Sequence, residues 1–485
     1  MFSPQSIPME TMDPNNTQLN PSLRQSNDTD NYDENINISN DNIIYGEEEC
    51  SINNLHTSIS DSNISYCGIK SNSILSGILN ICASAVGGGC FTFPWIISNI
   101  GILNSTFIFL VVSLCIYYSL DLLRSFVVDT KYFSFSLMTE TTLGKKWLMV
   151  YSFSSFFYYI SININYLSLL YSIFKSFFLT HSTLNGFIFL LATCSIEIFL
   201  CLYTSKTAKL NLLSLITMFN FLIIVLLTLF QGIYYSIENG YIANKFSKKN
   251  LLNPLENVSG GQIFFDSITA CIKYIYGYSY NCSFPTLIGN LKNVNDSNSK
   301  KVHNLSFIII SSSYFIIGFF GYLIKENVPA VLFKECEDST EGDYFSIWIR
   351  IIIFVFLFTL IPNRYIVIRD GYKLLIGKDK LTYKKDLLIT TLTFAFSNGI
   401  VFFTQEYCVE MDIFTLLVNT FGGLFGVIIG FGLPVINYAA VNGKRKLKTL
   451  IGYVITGLFL MIGSFAFVYS FIDLYRSYEE EKEEE

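Results

Sequence analysis

Eleven apolar runs, at 74–98, 102–125, 147–173, 184–203, 207–235, 262–288, 304–325, 344–368, 384–404, 411–438 and 449–472, occupy most of this 485-residue chain. A hydrocarbon core of about 30 Å needs about 20 helical residues to cross it, and every run reaches that length. Phe, Ile, Leu and Tyr dominate the runs, with none of the period-2 alternation of barrel strands, so each is read as a membrane helix. With 51% hydrophobic and only 14% charged residues, the chain is not an ordinary soluble protein. The runs at 147–173 and 184–203 are the least clean, because Ser, Asn and Glu197 interrupt them.

The net charge of −6 misrepresents the membrane body. Residues 1–69 hold eleven acidic groups against Arg24 alone, and the last seven residues hold six Glu against Lys482; the remainder carries about nine more bases than acids. With a cytosolic N-terminus, nineteen Lys and Arg fall in inside connections and eight outside, which is the orientation that positive charge in cytosolic loops favours. The triplet Asn257-Val258-Ser259 is then a glycosylation sequon on the exposed side. The cysteines lie singly without a Cys-x-x-Cys pair, so neither a zinc site nor a disulfide framework is expected. His56, His181 and His303 fall outside the runs, which argues against a histidine relay in the membrane.

Residues 1–70 read as a disordered acidic cytosolic tail, too polar to offset the entropy of ordering. Residues 476–485 form a second acidic tail, 239–261 an exposed loop, and 441–475 the eleventh helix. The sites of chemistry are marked by Gly and Pro. In the first span SAVGGGCFTFPW (84–95), and in the sixth YIYGYSYNCSFP (274–285), a glycine-bearing polar stretch precedes a proline, with similar spacing from Gly87 to Pro94 and from Gly277 to Pro285. Glycine costs about 1 kcal/mol in a helix interior, and the backbone groups freed by a break need a protein-lined cavity or a ligand. Interruptions five spans apart are the mark of an inverted-repeat transporter with its site at the bilayer midplane. Half-helix N-termini suit a carboxylate, and exposed carbonyls suit an ammonium or a cation, so a zwitterion fits both. Close packing is the plainer explanation for one such span and a poorer one for two.

Four segments resemble the amino acid/auxin permease family: LNICASAVGGGCFTFPWIISNIGI (79–102), IYGYSYNCSFPTLIGNLKN (275–293), FLFTLIPNR (356–364) and DIFTLLVNTFGGLFGVIIGFGLPVINY (412–438). They run in the family's order across residues 71–475. The resemblance implies an all-α polytopic membrane protein with about eleven transmembrane helices in a LeuT-like five-plus-five inverted repeat, helices 1 and 6 interrupted, with repeats at 71–238 and 262–440. It implies secondary active amino-acid transport driven by a proton or sodium gradient. On this alignment the substrate's carboxylate and amino group meet the backbone of Ala85, Val86, Gly87, Gly88 and Gly89, with Ser84 beside them, and of Tyr276, Gly277, Tyr278, Ser279 and Tyr280. Side-chain selectivity falls to Tyr278, Tyr280, Asn281 and Tyr159; the remaining tyrosines of the third span, Tyr158 and Tyr166, rank as packing.

Sodium-coupled relatives place an Asn three residues after the motif's first Asn, here Asn80, and a Thr two before the eighth-span Pro. Ala83 and Leu360 stand there instead, with Thr359 one place off, so a proton is the expected coupling ion and sodium the alternative. Lys273, about 15 Å into the sixth span by helical rise, is the foremost coupling candidate, since ionisable groups at such depth are functional by default. Arg350 and Glu197 follow, and Asp121 with Arg124 reads as an interfacial pair. No phosphate loop, HExxH or nucleophile elbow marks an enzyme. The expected partners are an amino-acid substrate and the lipid bilayer, without nucleic acid, cofactor or metal. Plasma membrane and vacuole- or lysosome-like membranes both fit, and an amino-acid sensor on the same fold is the alternative function.

Overall fold

Every one of the eleven runs corresponds to a helix, or to a broken helix, in the computed structural model; among the described residues eight of these helices, or nine with the bent pair of the first run, are long and apolar enough to cross a membrane, against the eleven expected. The structure describes residues 73–178, 183–203, 207–238, 260–278, 280–324, 328, 344–376, 382–407, 416–444 and 446–484. These belong to the unit Ser65–Glu485. The N-terminal tail, Asn257 with its sequon, Ser279, His56 and His181 lie outside the described residues.

The first span is Ile74–Ala85 followed, after a bend of 55°, by Gly88–Ile100. Ile102–Thr130 is the second, Lys145–Phe178 the third, Thr183–Tyr203 the fourth and Thr207–Glu238 the fifth. The sixth is Gly260–Gly277 continued by the short helix Phe284–Gly289; Asp296–Ile324, Tyr344–Ile376 and Tyr383–Tyr407 are the seventh to ninth. The tenth is wound in wide π-turns, Val418–Gly426 and Ile428–Gly432, before closing as Leu433–Asn442. The eleventh runs from Leu447 to Glu484 and takes the acidic stretch after residue 475 into the same helix.

Hydrocarbon offers the backbone no water, so helices satisfy their own peptide groups, and the hydroxyls inside them follow suit. Ser152, Thr228 and Ser470 each donate to the carbonyl four residues back, at 2.8–2.9 Å. Polar residues therefore interrupt an apolar run without interrupting its helix. Outward residues such as Leu184, Phe187, Leu191 and Phe199 are more than half exposed and form the lipid-facing surface. In the third span, by contrast, Ser161, Asn163 and Asn165 are buried. Two of them, Ser161 and Asn165, turn inward to the Tyr276 hydroxyl of the sixth span.

His303 corrects one expectation. It lies inside the seventh helix, fully buried, with its ring stacked on Tyr117 at 4.7 Å. The apolar run begins at 304, whereas the helix starts at Asp296, because hydrogen bonding continues where hydropathy stops. The Asp121–Arg124 pair forms as expected at 2.9 Å, and Arg124 also reaches Asp296 of the seventh helix at 2.6 Å.

Small residues let the tenth and eleventh spans touch backbone to backbone: a Cβ on Gly463 overlaps the Gly423 carbonyl. Gly463→Val is expected to separate the two helices at a cost of about 3 kcal/mol, seen as a lower melting temperature of the detergent-solubilised protein. An unchanged melting curve contradicts this packing.

Candidate functional site

The N-terminal half of the first span ends as the glycine run dictates. Ala85 is its last helical residue, Val86 caps it in an extended conformation, and Gly87 is extended as well. The chain re-enters as a tight turn, Gly88–Thr92, and then as the helix Phe93–Ile100 with Pro94 in its first turn, where the missing N–H has no helical partner to lose. The sixth span repeats the plan. Gly277 ends the first helix, a run of turns follows, and Pro285 opens the second.

These breaks meet. A Cβ on Gly89 would stand 3.3 Å from Gly277 Cα, and one on Gly277 would stand 2.8 Å from the ring of Phe93. Glycine at both positions lets one backbone lie on the other. The third span closes the side, since a Cβ on Gly87 would overlap the Tyr166 hydroxyl and one on Gly88 would stand 3.1 Å from its ring.

The freed carbonyls are held by the protein itself. Tyr314 of the seventh span donates from its hydroxyl toward Ala85 O at 2.9 Å and Gly277 O at 2.8 Å, the terminal carbonyls of both half-helices. Arg364 of the eighth span donates from Nη2 to Val86 O at 3.0 Å and Ala85 O at 3.4 Å. Its guanidinium carbon stands 6.0 Å from the Tyr159 ring centre. The end expected from sequence to seat an ammonium thus carries a guanidinium and a phenol already.

Tyr159, Tyr278 and Asn281 line one small cavity with Tyr158 and Gly430; Tyr280, the fourth residue expected to give selectivity, is not among its lining residues. Asn281 donates to Gly430 O at 3.0 Å, an acceptor in the π-wound tenth span that Ser119 also reaches at 2.5 Å. Such π-turns recur at functional sites. The Tyr278 hydroxyl bonds Ser113 at 2.9 Å and Ser311 at 2.8 Å, and Tyr276 accepts from Asn165 at 2.8 Å. Tyr280 is fully buried against the break. Ser84 sits on the first half-helix and donates back to Ile81 O at 2.9 Å.

The coupling candidates scatter. Lys273, 1% exposed, places Nζ 3.7 Å from the ring centre of Trp95 on the C-terminal half of the first span, so it joins the two broken helices. Asn80 is half-buried in Ile74–Ala85, over a turn before the break. Thr359 donates back to Phe356 O at 2.8 Å within its own helix. Glu197 is fully buried on the fourth span, which packs on the third, eighth and ninth and away from the breaks; Arg350 is buried near the start of the eighth. Tyr314 and Arg364, which no sequence signal marks, complete the site, and Tyr166, expected to pack, lies against Gly87 and Gly88.

Two broken helices thus cross back to back within a bundle of helices among the described residues. Solved structures share that LeuT-like fold. A manganese transporter of Eremococcus coleocola, in complex with an aromatic bis-isothiourea substituted compound, superposes with a TM-score of 0.53 at 12% identity over 85% of this chain and 91% of that one. A point mutant of it gives 0.50 at 12% identity over 86% and 99%. A sodium-coupled sialic acid symporter gives 0.46 at 10% identity, over 83% and 90%. No individually curated protein matches the chain. The family model "Transmembrane amino acid transporter protein" matches residues 70–475. The chain belongs to that family, and it is an integral, multi-pass membrane protein.

Proposed function

We propose that the protein is a proton-coupled secondary carrier of amino acids, a symporter that alternates access around the meeting point of the first and sixth spans. The observation that carries this reading is the contact of Gly89 with Gly277, which brings two interrupted helices, with their dipole ends, to one place in the membrane interior. An amino acid's carboxylate is what the N-terminal dipole ends attract, while the carbonyl end of the first half-helix already carries Arg364. The substrate's carboxylate meets the N–H group opening at Gly89, and its side chain faces Tyr159, Tyr278 and Asn281. The repeats 71–238 and 262–440 rock about this point, and the N-terminus faces the cytosol.

Uptake of each amino acid into proteoliposomes, with proton and sodium gradients imposed separately, tests the reading. Accumulation driven by a proton gradient supports it. Specific binding without counterflow of labelled substrate makes the protein a sensor and overturns it.

Lys273 is the group best placed to carry coupling, because an ammonium buried between the two moving helices feels any change in their separation. Lys273→Ala is expected to flatten the pH profile of uptake to within about twofold from acid to neutral pH while counterflow persists. A mutant profile superimposable on that of the wild type assigns Lys273 to structure alone.

A further inference from the structure

The carbonyls of Ala85 and Val86 stand at the negative end of a helix dipole, where the helical N–H groups have run out. A positive charge belongs there, and this chain supplies one covalently. Arg364 is 3% exposed and lies two residues past Pro362, inside the uninterrupted helix Tyr344–Ile376. Its Nη2 lies at 3.0 and 3.4 Å from the two oxygens. Tyr159, Tyr166 and Tyr314 face the same guanidinium, which stays protonated at any physiological pH.

Carbonyl oxygens at a broken helix are also the ligands that a small hard cation requires, and several are needed to replace its water. Here two are occupied by a donor that cannot diffuse away, and a second positive charge beside it is repelled. The nearby positions that the resemblance would fill with oxygen side chains are Ala83 and Leu360, both fully buried and unable to ligate.

From this geometry we infer that Arg364 is a built-in cation of the substrate site, holding the end of the first half-helix as a bound sodium ion would, so that the carrier binds and moves its substrate without sodium. The inference rests on the carrier reading above and adds which ion the carrier does without.

The test uses the full-length protein in proteoliposomes, measuring counterflow of labelled amino acids with sodium replaced throughout by N-methyl-D-glucamine. Melting temperature is read in the same two salts. Wild-type counterflow is expected to agree within about twofold between the salts, with the same melting temperature in each. Arg364→Gln, which keeps donors and loses the charge, should lose at least about fivefold of its sodium-free counterflow, while Arg364→Lys keeps most of it. The glutamine variant alone should melt higher in sodium.

Sodium stimulation of the wild type beyond about fivefold, or a sodium-specific rise in its melting temperature, overturns the proposal whether or not the variants fold. Full sodium-free counterflow by Arg364→Gln overturns it as well. If the wild type exchanges no amino acid in either salt, it is the carrier reading that fails, and the melting comparison still decides the role of Arg364.

Discussion

Gly88→Leu is expected to abolish amino-acid counterflow, by at least about a hundredfold, while leaving the protein folded and correctly targeted. The first added carbon would stand 3.1 and 3.2 Å from two ring atoms of Tyr166 and 3.6 Å from Leu357. Three further carbons have no space, so either the Tyr166 ring or the Gly88 backbone must move. Moving the ring costs about 1–3 kcal/mol, which a bundle of eleven spans absorbs. Moving the backbone carries the N–H groups of the turn Gly88–Thr92 away from the substrate carboxylate and parts Gly89 from Gly277. The site therefore fails long before the fold does. The check is counterflow per folded molecule, with a melting curve beside it; a variant that melts normally and exchanges at the wild-type rate removes the broken first span from the site.

The bundle itself was legible because a bilayer leaves one solution to a long apolar run. Both breaks were legible because three adjacent glycines, and a glycine among tyrosines, do not survive as uninterrupted helix without a reason. What escaped depends on where helices end and which neighbours they meet. Arg364 lies near the end of the run 344–368, where an arginine reads as reaching for the interface. The helix continues to Ile376, and the same residue is interior. His303 escaped in the same way at the start of the seventh span. Tyr314 and Tyr166 escaped for another cause: one tyrosine among 31 carries no sign of the backbone it meets. Only the packing of the seventh and third spans against the breaks singles them out. The tenth span's glycines at 422, 423, 426, 430 and 432 are visible in sequence, but not that the Tyr276 ring packs where a side chain on Gly422 would stand and the Tyr158 ring where one on Gly426 would.

Tyr314→Phe is expected to loosen the site with little change in shape, since only one oxygen is lost. That oxygen is shared by the final carbonyls of two half-helices, 2.9 Å from Ala85 O and 2.8 Å from Gly277 O. Tyr314 is fully buried, so bulk solvent does not replace the lost oxygen. An orphaned buried acceptor costs about 1–3 kcal/mol, and each 1.4 kcal/mol is about tenfold in an equilibrium. The cost falls only on the arrangement in which the half-helices are joined, so states in which they part and hydrate gain about five- to a hundredfold in population. Cys90 reports this directly. It is fully buried, its thiol donating to Gly87 O at 3.1 Å, and it becomes reachable when the first span swings away. Maleimide labelling quantified at Cys90 by mass spectrometry should quicken at least about fivefold in the variant, and counterflow should fall as the joined arrangement becomes harder to reach. Labelling at the wild-type rate would show that the two helices are not held together by this hydroxyl, and that Arg364 and the glycine contact suffice.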